Sequence, residues 1–560
     1  MLIKLMRAVI SHFSRRTNAK PAPPAIDGES IRNELISAVA MHRSGNLVGA
    51  VSIYESILLQ NPDAADAQHL LSIVEHRRGN LDRAEELVSK AIALNPRSVE
   101  YLNTRASILA DLGKVGLAID LLKKALGIDP IALRPRSNLL FMLNLLPGAR
   151  RQEVYEEHLR WAEIHASPQK ERFAVIPEAL GERTLRIGYV SGDFRAHPVG
   201  RIMSAVLSCH DTSAIEVFCY DNTGELDSLN RSMRIHSHRW TQIIELSDEQ
   251  VTELIRRDEI DILIDLSGHT HGNRLLVFAN RPAPVQASWL GYLNTTGMSQ
   301  IDWRITCPAT DPEPQATAYH SERIWSLPDC LWPWIPEDYP IDESVNSSSF
   351  QSDNIIFGSF NTFRKMNTEV IKVWAEILRR VPTSILRVHG VPRGRTMDDL
   401  LDLFKEYGAD PEQINFFGVI DHAKYQKAYA QVHIALDSFP YSGGATTCEC
   451  LWMGVPVIAL GGEGGFARTA AGILSVVGLK ELIAATQEDY IERAVELARD
   501  SSRLHEYRNT IRKRFEESSI MDVRRFVGHL EAAYRSMWED RILHSKVDLP
   551  AGGIASQVLS

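Results

Sequence analysis

A 34-residue repeat near the start of the chain constrains the fold more than any other feature of the sequence. Four positions recur at this spacing: glycine at 45, 79 and 113, alanine at 50, 84 and 118, proline at 62, 96 and 130, and an apolar residue at 57, 91 and 125. Glycine permits a tight turn between two antiparallel helices, alanine lets the helices approach, and proline cannot continue the helix before it. The pattern therefore predicts three helix–turn–helix units that stack on one another.

These units resemble tetratricopeptide repeats, and a flanking helix is expected around residues 139–146. Such arrays form a curved surface that binds extended polypeptides. The repeats are therefore expected to dock a protein, and a structural spacer without a ligand is the alternative.

The periodicity changes after the repeats. Short apolar runs rich in β-branched residues alternate with helical stretches, and the predicted strands cover residues 185–191, 215–220, 260–266, 284–292, 354–361, 384–390, 414–418, 432–437 and 456–460. A polar, proline-rich stretch, 333–353, separates the first four strands from the others. Apolar strands that alternate with helices predict two parallel sheets in tandem, which bind ligands at the carboxyl ends of their strands.

Composition narrows the class of protein. The 560 residues carry 61 Lys and Arg against 71 Asp and Glu, a net charge of −10, which argues against a nucleic-acid binder. No apolar run reaches the roughly 18 residues of a transmembrane helix. The six cysteines form no CxxC pair, and Lys4 and Arg7 interrupt the apolar stretch that a secretion signal would need. We therefore expect a cytoplasmic protein without a transmembrane segment, whose basic N-terminus is either solvated or in contact with a membrane surface.

Polar side chains follow two strands of the first predicted sheet. His197 follows the first strand, where a histidine suits acid/base work or holds a substrate hydroxyl. A surface or capping histidine fits the same position. Asp265, His269 and Thr270 follow the third strand and offer a second set of polar groups at the same edge.

The second half of the chain offers groups that suit an anion. Lys365 follows a predicted strand and can reach a phosphate as a point charge. Further on, two glycines let the backbone approach a ligand, Thr446 and Thr447 supply hydroxyls, and the N–H groups at a helix start attract a diphosphate. Glu449 is placed to bind ribose hydroxyls, and an apolar helix is expected to begin near Leu451.

Each of these signals has an ordinary explanation, namely a solvated lysine and a helix cap of the Thr-Thr-x-Glu kind. Together they suit a nucleotide donor and an acceptor that meet in a cleft. The sequence contains neither a P-loop nor a GxGxxG motif, which argues against kinases, ATPases and standard dinucleotide enzymes.

The stretches 186–200, 260–297, 357–367 and 441–460 together resemble the tetratricopeptide-containing O-linked N-acetylglucosamine transferases, including the plant SPINDLY branch. The resemblance implies an α + α/β chain in which helical repeats precede a two-lobed GT-B glycosyltransferase made of two Rossmann-like domains. It also implies the reaction: GlcNAc moves from UDP-GlcNAc to Ser or Thr hydroxyls of proteins with inversion, and neither a metal nor a cofactor takes part.

The resemblance assigns roles to single residues. His197 falls on the family's active-site histidine, and Lys365 falls on the lysine that neutralises the leaving diphosphate. Thr446 and Thr447 fall on the phosphate-binding loop, and Glu449 falls on the acid that holds ribose. The other donor-site positions are Thr362, Tyr425 as the base-stacking residue, Gly444, Ala445 and Arg468.

Two departures from the family leave the donor sugar open. Gly444 and Ala445 stand where animal-type enzymes carry His-Thr, and Asn-Thr-Thr-Gly at 294–297 is closer to the SPINDLY branch, which is associated with GDP-fucose. Protein O-fucosylation is therefore an alternative to GlcNAc transfer. A repeat scaffold with a degenerate transferase domain and transfer to a glycan or small molecule are two others.

The sequence predicts seven segments: a basic, flexible N-terminus (1–29), the repeats (30–150), linking helices (151–182), an acceptor-side lobe (183–335), a linker (336–353), a nucleotide-sugar lobe (354–540) and a flexible tail (541–560). Asp265, His269 and Thr270 are expected on the acceptor side of the cleft.

Overall fold

The structure is a computed structural model that describes residues 28–166, 183–336, 354–419 and 422–547. The predicted linker 336–353 and N-terminus 1–29 lie almost entirely outside these residues, as do half of the predicted linking segment 151–182 and part of the tail. Within the described residues, no helix is both long enough and apolar enough to cross a membrane.

The N-terminal part of the described chain is a stack of antiparallel helices. These are α1 (Gly28–Arg43), α2 (Leu47–Gln60), α3 (Ala65–Arg77), α4 (Leu81–Leu94), α5 (Val99–Asp111), α6 (Val115–Ile128), α7 (Leu133–Leu143) and α8 (Arg151–His165). The repeated glycines at 45, 79 and 113 have φ between +73° and +82°, a conformation that glycine adopts without strain. The repeated alanines at 50, 84 and 118 are fully buried where paired helices meet.

Side chains of the first helix in each pair join neighbouring repeats. His69 Nε2 lies 2.9 Å from Thr104 Oγ1, and Asn138 Nδ2 donates to Asn103 Oδ1 at 2.8 Å. Each pair is 35 residues apart, one residue more than the sequence period. The helices α3, α5 and α7 therefore form one continuous polar face.

The first lobe is a seven-stranded parallel sheet of order β3-β2-β1-β4-β5-β6-β7. Its strands are β1 (Leu185–Ser191), β2 (Ile215–Asp221), β3 (Arg239–Gln242), β4 (Ile262–Asp265), β5 (Val285–Ser288), β6 (Trp303–Thr306) and β7 (Arg323–Ser326). Its helices are α9 (Pro198–Cys209), α10 (Ser228–Ile235), α11 (Asp248–Arg257), α12 (Leu275–Ala279) and α13 (Gln315–Ala318). The order reverses between β1 and β4, so the turns after these strands lie at the ligand-binding edge.

The second lobe is a six-stranded parallel sheet of order β10-β9-β8-β11-β12-β13. Its strands are β8 (Ile356–Ser359), β9 (Ile385–His389), β10 (Ile414–Phe417), β11 (Ile434–Leu436), β12 (Val457–Leu460) and β13 (Ile483–Ala484). Its helices are α14 (Thr368–Arg380), α15 (Arg395–Glu406), α16 (His422–Ala430), α17 (Ala445–Trp452), α18 (Gly465–Val476), α19 (Gln487–Arg499) and α20 (Ser501–Glu516). The last helix, α21 (Val523–Val547), returns to pack against α9 and β5 of the first lobe.

The predicted fold class is confirmed, with helical repeats followed by two parallel-sheet lobes. Every strand predicted from the sequence overlaps an observed strand. Strands β3, β6, β7 and β13 were not predicted from the sequence. Strands β3 and β7 are the sheet edges and end on exposed residues, β6 carries an arginine inside the sheet, and β13 has only two residues, so none of them forms a long apolar run.

Candidate active site

A cleft of about 2060 Å³ separates the two lobes and continues along the polar face of the repeats. Its walls come from the turns after β1 and β4 in the first lobe, the turns after β8 and β11 in the second lobe, and helices α3, α5 and α7. The carboxyl edges of both sheets and the repeat array thus open onto the same space.

His197 lies on the first-lobe wall as the N-cap residue of α9, with Pro198 as the first helical residue. Its Nδ1 accepts a hydrogen bond from the Val199 N–H at 3.3 Å and lies 3.8 Å from Asp193 Oδ2. Burial lowers the pKa of His197, whereas Asp193 opposes this shift. A neutral ring whose Nδ1 accepts carries its proton on Nε2, so His197 presents an N–H donor to a ligand.

The turn after β4 also belongs to the first lobe, but it brings only some of its predicted site residues to the cleft. His269 and Thr270 line it, whereas Asp265 is not among the described residues on its surface. The buried Asp265 carboxylate instead accepts from the N–H groups of Ser267 and Gly268 and from the Ser288 hydroxyl, and burial raises its pKa to about 6. Asp265 therefore shapes the turn that carries His269 and Thr270.

His269 is buried in the wall, where its Nε2 lies 2.8 Å from the Thr296 carbonyl oxygen. Burial holds the pKa of His269 well below its ordinary value, so the ring is neutral. Thr270 donates its hydroxyl to the Ser267 carbonyl at 2.7 Å. His269 and Thr270 are therefore uncharged polar groups on this wall, which also carries charged side chains such as Arg195, Arg201 and Glu225.

Lys365 lies on the opposite wall, at the turn after β8. Its Nζ donates to the Ser442 carbonyl at 2.7 Å and lies 4.7 Å from the centre of the Tyr441 ring. Burial lowers the pKa of Lys365 to about 8, and the Asp437 carboxylate opposes the shift. The ammonium group is therefore still mostly charged at pH 7 and is held close to the turn after β11.

Asn361 connects the turns after β8 and β11. Its amide group donates to Asp437 Oδ1 at 2.9 Å, and its carbonyl oxygen accepts from the Thr446 hydroxyl at 3.2 Å. The same Asp437 oxygen accepts from the Gly443 N–H at 2.8 Å, and a Cβ on Gly443 would lie only 2.8 Å from it. Sequence reasoning assigned no role to Asn361 or Asp437, and only Asn361 lies in a stretch that carried the resemblance.

Helix α17 begins at Ala445, so the expected start near Leu451 is wrong by six residues. Gly444 is its N-cap residue, and no side chain of the described chain caps it. Thr446 binds Asn361 rather than the helix N-terminus, so the alternative Thr-Thr-x-Glu cap does not form. The first N–H groups of α17 are therefore available to an anion beside Lys365.

The remaining predicted donor residues are distributed around this turn. Glu449, Thr362, Gly444, Ala445 and Thr446 all line the cleft. The Glu449 carboxylate accepts from the hydroxyl of Tyr429 at 2.5 Å, and Tyr429 is another residue of the site that sequence reasoning missed.

Three predicted donor residues have other placements. Thr447 is buried within α17, and Arg468 donates to the Gly462 carbonyl at 3.2 Å; neither is among the described residues that line the cleft. Tyr425 belongs to α16, but its side chain lies outside the described part of the structure. Donor-binding roles for these three residues stay predictions.

The repeats contact the Lys365 turn directly. Arg364 Nη2 lies 2.5 Å from Asp111 Oδ1, and Asp111 Oδ2 lies 2.7 Å from His76 Nε2. Phe363 packs on the glycine turn at Gly113, where an added Cβ would lie 3.0 Å from its ring. No sequence signal indicated these contacts, because they join residues about 250 positions apart.

In the described ranges, no group of three or more His, Cys, Asp or Glu side chains is arranged to hold a metal ion. The positive groups at the second-lobe turn are Lys365, the α17 N-terminus and Arg364, which is paired with Asp111.

Comparison with known proteins identifies the family to which this arrangement belongs. The model of "Glycosyl transferase family 41" matches residues 142–332 and 336–530, and two tetratricopeptide-repeat models match 41–108 and 99–131. The chain belongs to glycosyl transferase family 41. This membership confirms the predicted enzyme class, and the repeat models confirm the predicted repeats.

Relatives of this family-41 chain agree with the assignment. The Solanum lycopersicum protein named "Probable UDP-N-acetylglucosamine--peptide N-acetylglucosaminyltransferase SPINDLY" is 34% identical over 72% of this chain and 44% of its own length. The Arabidopsis thaliana protein named "Probable UDP-N-acetylglucosamine--peptide N-acetylglucosaminyltransferase SEC" is 32% identical over 64% of this chain and 37% of its own length. The family-41 chain thus spans less than half the length of these curated relatives.

A solved structure matches almost the entire family-41 chain. The "Thermobaculum terrenum O-GlcNAc transferase mutant" is 34% identical, with a TM-score of 0.87 over 93% of this chain and all of that one. The arrangement of repeats and lobes is therefore that of a known O-GlcNAc transferase structure.

Proposed function

We propose that this family-41 chain transfers GlcNAc from UDP-GlcNAc to Ser or Thr hydroxyls of proteins, with inversion and without a metal. The observation that carries the proposal is the charged Lys365 beside the uncapped start of α17, in a cleft that the neutral His197 and His269 of the first lobe also line. The names of the relatives support the same donor and a peptide acceptor.

The second-lobe turn is suited to the donor diphosphate. Lys365 and the first N–H groups of α17 can stabilise the charge that develops as the bond between the anomeric carbon and the diphosphate oxygen breaks. This positive charge does the work that a metal ion does in other transferases, so we expect activity to persist in EDTA. Glu449 also lines the cleft, which supports a role in binding ribose hydroxyls, and we expect no cofactor requirement.

The first-lobe wall is suited to the acceptor. The hydroxyl oxygen of the acceptor attacks the anomeric carbon from the side opposite the diphosphate, which inverts that carbon. The diphosphate leaves with the electrons of the broken bond, and the hydroxyl proton passes to the departing diphosphate or to solvent. His197 Nε2–H is a neutral donor that can hold the donor sugar or the acceptor in this geometry. The polar face of α3, α5 and α7 continues the cleft, which supports the docking of an extended acceptor polypeptide on the repeats.

The test is incubation of the full chain with labelled UDP-GlcNAc or GDP-fucose and a lysate from cells, with and without EDTA. We expect labelled protein from UDP-GlcNAc only, and the label should be released by base as Ser- or Thr-linked sugar. Use of GDP-fucose alone would replace the donor assignment with O-fucosylation. Absence of transfer, hydrolysis and calorimetric binding with both donors would favour the scaffold reading. The cytoplasmic location stays a prediction.

A further inference from the structure

Trp332 fills the space beside the start of the anion-binding helix. A Cβ added to Gly444 would lie 3.2 Å from Trp332 Cζ2 and 3.6 Å from Cη2. Both residues line the cleft, and the indole is 8% exposed. The large ring therefore occupies the volume that a side chain at position 444 would need, and its exposed edge faces the cleft.

The segment that carries Trp332 is held at two points. Trp289 Nε1 donates to the Leu331 carbonyl at 3.0 Å, and the Trp334 N–H donates to the Ile520 carbonyl at 2.9 Å. The Trp334 ring also packs against Phe515, with 5.3 Å between ring centres. The position of Trp332 is thus fixed by both lobes before any ligand binds.

The direction of a bound nucleotide follows from the order of groups along α17. Glu449 lies inside the helix, whereas Gly444 precedes its first turn. A nucleotide with its ribose at Glu449 and its diphosphate at the helix start sends the group beyond the diphosphate past Gly444. That group meets the edge of Trp332 and the first-lobe wall.

We infer that Trp332 and Gly444 together form an apolar wall of the donor-sugar subsite. This inference rests on the proposed function, because it requires a nucleotide-sugar donor. The hydrogens on sugar carbons carry partial positive charge and pack well on an aromatic surface, while the sugar hydroxyls remain free to bind polar groups. The wall therefore contacts the sugar and leaves the nucleoside and the diphosphate untouched.

The test compares nucleotide sugars with their free diphosphates. UDP, UDP-GlcNAc, GDP and GDP-fucose are titrated calorimetrically into the wild type, Trp332→Ala, Trp332→Phe and Trp325→Ala. For the donor that binds, we expect Trp332→Ala to weaken the nucleotide sugar about tenfold, whereas the matching free diphosphate changes less than about twofold. The affinity of Trp332→Phe for the nucleotide sugar should lie between those of Trp332→Ala and the wild type.

Trp325→Ala is the matched control. Trp325 lies on the edge strand β7, packs against Trp303 and is not among the described residues that line the cleft. Trp325→Ala should leave the affinities for the nucleotide sugar and for the free diphosphate unchanged. Thermal unfolding of each variant reports on folding, and because Trp332→Phe preserves most of the buried volume, it provides the comparison even if Trp332→Ala does not fold.

Equal weakening of the nucleotide sugar and the free diphosphate would overturn the inference, as would unchanged binding of both. These outcomes are distinct from failure of the proposed function. If the wild type binds GDP-fucose and not UDP-GlcNAc, the GlcNAc proposal fails. The role of Trp332 is then still decided by comparing how much Trp332→Ala weakens the binding of GDP-fucose and of GDP. Binding of neither nucleotide sugar would overturn both.

Discussion

The two walls of the cleft use different physical means to fix their polar groups. In the second lobe, Lys365, Asn361 and Asp437 form a hydrogen-bonded set that carries charge and adjoins an uncapped helix. In the first lobe, His197 and His269 are held by backbone groups and are uncharged, because burial lowers the pKa of both. The turn that carries Lys365 is therefore suited to an anion, whereas His197 and His269 are suited to neutral hydroxyls.

This difference shows which step each wall can assist. A charged group that faces the departing diphosphate acts mainly in the transition state, where negative charge develops. A neutral hydrogen-bond donor acts mainly by positioning, and its contribution is smaller. Substitutions on the second-lobe wall should therefore cost more activity than those on the first.

Loss of the lysine should have the largest effect. Lys365→Ala removes the ammonium group that lies beside the Ser442 carbonyl and the start of α17. We expect kcat to fall about 10²- to 10³-fold. Lys372→Ala, an exposed lysine on the nearby helix α14, is the control and should keep full activity. Steady-state kinetics measure kcat, and thermal unfolding checks that each variant is folded. Near-normal turnover in folded Lys365→Ala would contradict a role in charge stabilisation.

Substitution of the first-lobe histidine should cost less. His197→Ala removes one neutral donor, and we expect about a tenfold loss of kcat/KM. His197→Gln keeps an N–H group near the position of Nε2–H and should retain more activity than Ala, while His236→Ala on the exposed end of α10 should have no effect. If His197→Ala loses as much activity as Lys365→Ala and His197→Gln recovers none of it, a proton-transfer role for His197 is favoured instead.

The fate of these residues also shows what a sequence can reveal. Buried strands form apolar runs, so β1 and β8 and the turns that bear His197 and Lys365 were predicted correctly. The residues that hold Lys365 in place were not, because Asn361, Asp437 and Asp111 act through contacts that depend on how turns meet in space. The start of α17 was misplaced for a similar reason, since Gly444 and Thr446 do not form a recognisable cap.

The pH dependence of nucleotide binding should separate the two walls further. Because burial lowers the pKa of Lys365 to about 8, the free protein loses this positive charge as the pH rises through 8. Only the protonated form attracts a diphosphate, so the Kd for UDP should increase about tenfold between pH 7 and 9. Below pH 8 the affinity should be nearly constant.

Lys365→Arg is the control for this measurement, since arginine stays charged over the whole range. Calorimetry from pH 7 to 9, where the charge of UDP changes little, should give a flat Kd profile for this variant. An equally steep rise in Lys365→Arg would assign the titration to another group, and a flat wild-type profile would contradict the lowered pKa.

The smallest effect is expected where the repeats contact the second-lobe wall. Arg364 and Asp111 form a partly buried ion pair next to Lys365, whereas Lys114 and Asp399 form an exposed pair at the same junction. Breaking the first pair by Asp111→Asn or Arg364→Met should weaken UDP binding a few-fold, because the Lys365 turn loses its support. Exposed pairs contribute about 0–1 kcal/mol, so Lys114→Met should change nothing measurable.

A double-mutant cycle with Asp111→Asn and Arg364→Met isolates this support from the direct effect of each charge. We expect a coupling free energy of about 1 kcal/mol in UDP binding, because contacting residues share the loss. Additive effects would mean that the Asp111–Arg364 pair does not support the Lys365 turn. Coupling would instead mean that helix α5 of the repeats and this second-lobe turn act as one unit when UDP binds.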